Sequence, residues 1–184
     1  MIPGEDDIAL WKAGLDGDKA AFGQLYRYYF PLLYGYGMKL TEDKELVRDV
    51  IQDVFVKLFQ EKAQAPVIGH WKGYLFQAFR NRMLDKARQT RPTYDIADYE
   101  NELITEMPFA EGFRADEVRE EQGQRLLRAY KQLRPRQQEI LYLFYIKELK
   151  HEEIAAILHI NCQSSKNLLF RAIAKLRALC FPAE

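Results

Sequence analysis

Apolar residues recur at three- and four-residue intervals through nearly the whole chain, and no stretch alternates as a half-buried strand would. The pattern predicts an all-α protein. Ile8 to Leu15 forms a short first helix that stops at Asp16-Gly17-Asp18. Asp18 suits the N-cap of the next helix, which carries Phe22, Leu25, Tyr26 and Tyr29, and Pro31 suits the opening of another, running to Leu40. Thr41 is expected to cap a fourth helix, with Glu42 and Asp43 at its positive end. That helix sets Leu46, Val47, Val50, Ile51, Val54, Phe55, Leu58 and Phe59 on one broad face and Asp49, Gln52, Asp53 and Lys57 on the other. After a loop with Pro66 and Gly69, helix resumes near Gly73 and lasts to about Arg88.

Residues 92–117, with Pro92, Pro108, Gly112 and many acids, read as a flexible acidic linker. Beyond it, helices are expected over Val118 to Leu133 and Arg136 to Ile146, broken at Arg134-Pro135. Glu152 to Leu158 then reads as a short helix, His159-Ile160-Asn161 as a turn, and Cys162 to Leu179 as a longer helix capped by Asn161. Apolar side chains at Ile154, Ile157, Leu158, Ile160, Leu169, Ile173 and Leu176 follow helical spacing and can fuse these last two helices. The organisation expected is two small helical domains, 1–91 and 118–184, joined by the linker, with a helix-turn-helix in the C-terminal one.

Charge sharpens this picture. The chain has 27 Lys+Arg and 27 Asp+Glu, a net charge of zero that hides three blocks. Residues 70–92 hold six bases and one acid, 93–123 two bases and ten acids, and 124–184 eleven bases and five acids. From Ile154 to Ala183 there is no acid at all, while Lys166, Arg171, Lys175 and Arg177 fall there. A second helix free of carboxylates suits the major groove, because each base near a phosphate gains by releasing a condensed cation. Gln163, Ser164, Lys166 and Asn167 lie on its first turns. Gln and Asn can pair bidentately with adenine, and Lys can reach the acceptors of guanine.

The other basic block interleaves aromatics with cations, from His70 and Trp71 through Arg80-Asn81-Arg82 to Arg88. Rings stack on unpaired bases while cations follow the backbone, so Trp71 and Tyr74 are candidate stacking platforms and Lys72, Arg80 and Arg82 candidate phosphate contacts. Asn81 can hydrogen-bond a base edge. Phe76, Phe79 and Met83 share helical spacing and are expected in the core instead.

Several classes drop out. Hydrophobic residues make up 48% of the chain, enough for packed cores. No basic leader with an apolar stretch opens the sequence, and the longest apolar run, Ile140 to Ile146, is far short of the ~20 residues a spanning helix needs. A cytoplasmic protein is expected, without membrane insertion. Cys162 and Cys180 lie about 27 Å apart on one predicted helix, too far for a disulfide. His151-Glu152-Glu153 lacks the second His of a zinc-protease helix, since Ala155 stands there. Without a glycine-rich phosphate loop either, no catalytic residues, metal or cofactor are expected. A stand-alone regulator with an N-terminal sensor or dimerisation domain explains the helix-turn-helix but not the Trp71–Arg88 block.

Taken together, these segments resemble the sigma-70 family of RNA polymerase specificity subunits, and most of all its small, two-domain extracytoplasmic-function group. Ala21 to Pro31 is similar to the family's opening helices, Glu45 to Leu58 to its polymerase-clamp helix, and Trp71 to Asp85 to its −10 promoter segment. Leu133-Arg134-Pro135-Arg136-Gln137 and Glu152-Glu153-Ile154-Ala155 are similar to its −35-binding domain. The resemblance implies a sigma factor that binds core RNA polymerase through Asp49, Gln52, Asp53 and Lys57. It implies melting of the −10 element, with a base held near the Ala63–Gly69 loop and Asn81, and reading of the −35 duplex through Gln163, Ser164, Lys166, Asn167 and Arg171. An anti-sigma factor is a further implied partner, and the linker is expected in the polymerase's RNA exit path. Some positions depart from the family pattern: Lys150 replaces a capping Ser, His159 a turn glycine, Ser165 an apolar residue, and Leu168 and Phe170 polar ones.

Overall fold

The computed structural model describes residues 5–60, 71–90 and 117–181. The described residues are helical throughout apart from short turns. The chain divides into two compact units, one built on residues 1–93 and the other on most of 94–184. The linker, residues 92–117, lies almost wholly outside the described residues, as does the 61–70 loop.

In the first unit, α1 (Glu5–Leu15) packs on α2 (Lys19–Leu40), α2 on α3 (Lys44–Gln60), and α4 (Trp71–Thr90) on both α2 and α3. Asp18 caps α2 as expected, accepting from the backbone N–H of Ala20 at 2.8 Å and Ala21 at 3.1 Å. Pro31, however, opens no new helix; it lies inside α2. A proline removes one helical hydrogen bond. The apolar stripe of α2 runs on either side of it, through Leu25, Tyr29, Leu33 and Tyr36, all buried, and tertiary packing holds the helix continuous.

The start of α3 also differs from expectation. Thr41 ends α2, and its hydroxyl accepts from the N–H of Asp43. Asp43 is the cap of α3, its carboxylate accepting from Glu45 N at 3.1 Å and Leu46 N at 3.0 Å. Val47, Val50, Ile51, Val54, Phe55 and Leu58 are buried as the periodicity requires, whereas Leu46 and Phe59 are only half-buried. Phe76, Phe79 and Met83 of α4, which packs on α3, are likewise buried.

The second unit comprises α5 (Glu117–Lys131), α6 (Pro135–Leu141), a π-turn over Tyr142–Ile146, α7 (His151–Ile157) and α8 (Cys162–Cys180). Pro135 opens α6, and the Gln138 side chain donates to the carbonyls of Tyr130 at 3.2 Å and Leu133 at 3.0 Å, closing the end of α5. The helix expected over 136–146 widens after Leu141. Lys147 N–H reaches back five residues to Tyr142 O at 3.1 Å, which buries Tyr142 and Leu143 and turns Tyr145 and Ile146 outward. Burial pushes the Tyr130 and Tyr142 phenols far above their usual range. The Lys147 ammonium lies 5.1 Å over the Tyr142 ring.

Candidate nucleic-acid and polymerase interfaces

The helix-turn-helix forms as its sequence suggests, with substitutes at three of its unusual positions. Lys150 has no side-chain acceptor for an N-cap, but Glu153 supplies the reverse half of a capping box, its carboxylate accepting from Lys150 N–H at 2.8 Å. His159 takes the left-handed conformation that glycine would normally fill, at φ +53°. The turn closes as a Schellman motif, with Ile160 N–H on Ala155 O at 3.0 Å and His159 N–H on Ala156 O at 3.4 Å. Asn161 caps α8, accepting from Ser164 N–H at 2.7 Å. Ser165 is fully buried, and its hydroxyl is hydrogen-bonded to Nδ1 of His151 at 3.0 Å, which explains how a polar residue occupies an apolar position.

These bonds fix which side of α8 faces out. Ser165, Leu169, Ala172 and Cys180 are buried on one side, against α5 and α6. Gln163, Lys166, Asn167 and Arg171 are exposed on the other, and Ser164 is half-buried at the edge. Gln163 Nε2 donates to Asn167 Oδ1 at 3.1 Å, and Arg171 Nε to Asn167 O at 3.3 Å, so these polar side chains hold one another in place. Lys175 and Arg177 continue the cationic surface. Of the expected small core, Ile154, Ile157, Leu158 and Leu169 are buried, whereas Ile160, Ile173 and Leu176 are half-buried. Cys162 and Cys180 are free thiols; the former donates to Glu152 Oε1 at 3.6 Å.

In the first unit the expected −10 residues separate into two groups. Trp71 is 5% exposed and stacked on Trp11 at 3.9 Å, with Tyr29 edge-on at 6.3 Å. It is a core aromatic and offers no platform to a base. Arg80, at 3% exposed, is likewise inside and not on a phosphate-binding surface. The interleaved pattern hid this, because a helix with a wide apolar face places aromatics and the stems of long cations on the same buried side.

Lys72, Tyr74, Asn81 and Arg82 are half-buried. The last three line a groove of about 700 Å³ between α3 and α4, together with Gln52, Asp53, Lys57, Gln77 and Asp85.

Asp53 and Arg82, assigned by sequence to different partners, face each other across this groove. Arg82 donates through Nε at 3.1 Å and Nη2 at 2.7 Å to one carboxylate oxygen, with Lys86 Nζ 3.7 Å away. The hydrogen bond from Arg82 holds the Asp53 carboxyl below its usual range. Asp49, Gln52 and Lys57 are exposed along α3. The groove is a joint feature of two helices, and spacing along either one does not reveal it. Among the described residues no cluster suited to a metal ion occurs, and no helix is long and apolar enough to cross a membrane.

Residues 25–93 match Sigma-70 region 2, and residues 123–176 match Sigma-70, region 4. The chain is 28% identical over 156 residues to the ECF RNA polymerase sigma factor SigM of Bacillus subtilis (strain 168), covering 85% of this chain and 93% of that protein. It is 28% identical over 179 residues to the ECF RNA polymerase sigma factor RpoE of Cereibacter sphaeroides, covering 94% and 93%. In fold it is similar to CnrH, solved in complex with the cytosolic domain of CnrY (TM-score 0.60, 22% identity, covering 95% and 97%). It is also similar to the sigma factor RpoE solved with the anti-sigma factor NepR from Bartonella quintana (TM-score 0.58, 19% identity, covering 86% and 95%). A stand-alone regulator is disfavoured, since the N-terminal half matches region 2 and not a sensor domain. With both regions present in order and the relatives aligned over most of their length, the chain belongs to the sigma-70 family, in its extracytoplasmic-function group, and directs transcription initiation from promoters.

Proposed function

We propose that this chain carries out initiation as a non-catalytic subunit of cytoplasmic RNA polymerase, dividing promoter recognition between its two units. The exposed side of α3, around Asp49, Gln52 and Lys57, docks on the core enzyme, with Asp53 serving that helix by anchoring it to α4. Lys72, Tyr74, Asn81 and Arg82 engage the −10 strand, and the α3–α4 groove takes an extruded base. Its volume falls within the ~300–1,000 Å³ of small-molecule sites. The α8 residues Gln163, Ser164, Lys166, Asn167 and Arg171 read the −35 duplex. Residues 92–117 act as an acidic tether along the RNA exit path. An anti-sigma factor is a further partner, as for the solved relative that carries NepR.

The observation that carries this reading is α8: a 19-residue helix without one carboxylate, whose outward side presents amides and cations while its inward side is buried. The test mixes full-length chain, core polymerase and promoter duplex. The chain alone is expected to bind the duplex poorly, and addition of core polymerase to give a specific open complex. Tyr74→Ala and Asn81→Ala are expected to impair melting while leaving core binding intact. Tight dimeric binding to a palindrome without polymerase would overturn the proposal.

A further inference from the structure

Asp53 sits where two roles of the first unit meet. On α3 it stands four residues from Asp49 and four from Lys57, so the three form one row along the helix, with Gln52 beside them. That row is the side proposed to dock on core polymerase. Across the groove the same carboxylate holds Arg82 of α4. Two N–H groups of Arg82, on Nε at 3.1 Å and Nη2 at 2.7 Å, end on Oδ2, and Lys86 Nζ lies 3.7 Å from that oxygen. Oδ1 accepts no hydrogen bond among the described residues. The side chains of Asp53 and Arg82 are 40% and 38% exposed, so the pair is open to exchange with other ions.

A nucleic-acid strand gains affinity from each cation that displaces a condensed counterion. Of the charged residues lining the groove, Arg82 and Lys57 stand against Asp53 and Asp85, two cations against two carboxylates. Arg82, already neutralised, adds little to that gain, and the Asp53 carboxylate repels phosphate. We propose that the Asp53–Arg82 pair is an autoinhibitory latch. In the free chain the carboxylate occupies Arg82. When α3 docks, a cation of the core enzyme takes the carboxylate, and Arg82 is released to the −10 strand. The exchange replaces one ion pair by two, Asp53 with the polymerase and Arg82 with a phosphate. Each partner therefore strengthens the binding of the other. The inference rests on the assignment of α3 to core polymerase and of the groove to the −10 strand.

The test compares Asp53→Asn with Asp49→Asn in the full-length chain. Asp49 is exposed one turn away and forms no ion pair among the described residues. Binding of a labelled oligothymidylate by the chain without polymerase is followed over a salt series, and core affinity is measured separately. Asp53→Asn should bind the oligonucleotide about threefold more tightly in low salt, the scale of a half-exposed ion pair. Its logarithmic salt dependence should steepen by about 0.7, the share of one freed cation on a single strand. Its core affinity should fall. Asp49→Asn should lose core affinity without gaining affinity for the oligonucleotide, and adding Arg82→Gln should abolish the gain of Asp53→Asn. A carboxylate that only stapled α3 to α4 would lower both affinities together.

Unchanged or weaker oligonucleotide binding by Asp53→Asn overturns the proposal, as does an equal gain in Asp49→Asn or a gain that survives Arg82→Gln. So does unchanged core affinity of Asp53→Asn, because the polymerase then leaves the carboxylate in place. Asp49→Asn separates this failure from that of the underlying assignment. If it weakens core binding, α3 docks whatever Asp53 does; if it does not, the docking face falls as well. Normal promoter melting by holoenzyme carrying Arg82→Gln would remove the strand from this groove and the latch with it.

Discussion

Gly37 lies on α2 where that helix comes closest to both α3 and α4, and replacing it with Ala tests how tightly the first unit is assembled. A Cβ at Gly37 would sit 2.6 Å from Cγ1 of Val47 and 2.8 Å from Cζ of Phe79. Carbon atoms in ordinary contact stand ~3.5–4.0 Å apart, so the neighbours must yield by about 1 Å. Val47 and Phe79 are fully buried, and neither can swing into solvent. Overpacking of this kind costs about 1–3 kcal/mol, against about 0.8–1.0 kcal/mol gained by removing a glycine from a helix. The net expectation is a loss of up to roughly 2 kcal/mol.

Gly23 on the same helix supplies the control. Its Cβ would meet nothing within 4 Å, so Gly23→Ala should stabilise by about 0.5–1 kcal/mol. At about 4–8 °C per kcal/mol for a unit of this size, the two substitutions should move the melting midpoint in opposite directions. The chain's two tryptophans, Trp11 and Trp71, are stacked inside the first unit, so tryptophan fluorescence follows that unit without mixing in the other's transition. Thermal melts of the full chain that shift the same way for both variants would refute the close approach of the three helices.

Two further expectations concern polar contacts. Asp53→Asn should weaken the first unit by about 0.5–1 kcal/mol at pH 7, a small value because the pair is about 40% exposed. The Asp53 pKa is lowered on folding, so this contribution is complete above the unfolded value near 4 and is lost as pH falls below it. Urea titrations read by tryptophan fluorescence should therefore show the wild-type advantage shrinking below about pH 4; an advantage independent of pH would discount the pair. The Ser165–His151 bond should appear as a coupling of about 1 kcal/mol in a double-mutant cycle of Ser165→Ala and His151→Ala, read by circular dichroism. Strict additivity would mean that the hydroxyl does nothing to join α7 to α8.

The helical class and the helix-turn-helix were legible in the sequence because they rest on local rules. Periodicity placed Val47, Val50, Ile51, Val54, Phe76, Phe79 and Met83 in the core, and cap chemistry placed Asp18 and Asn161 at helix starts. The outward set on α8 follows from the same periodicity, since a helix with one buried side has only one side left for solvent.

Only the tertiary structure decided matters that depend on what lies across from a residue. Pro31 remains inside a helix because buried neighbours on both sides outweigh one lost hydrogen bond. Trp71 is core and not platform because α1 brings Trp11 against it, and Asp53 and Arg82 form one ion pair because α3 and α4 lie side by side. Spacing along a helix determines which residues share a face. Whether that face meets water, another helix or a ligand is fixed by contacts between segments far apart in the chain, and those belong to the fold.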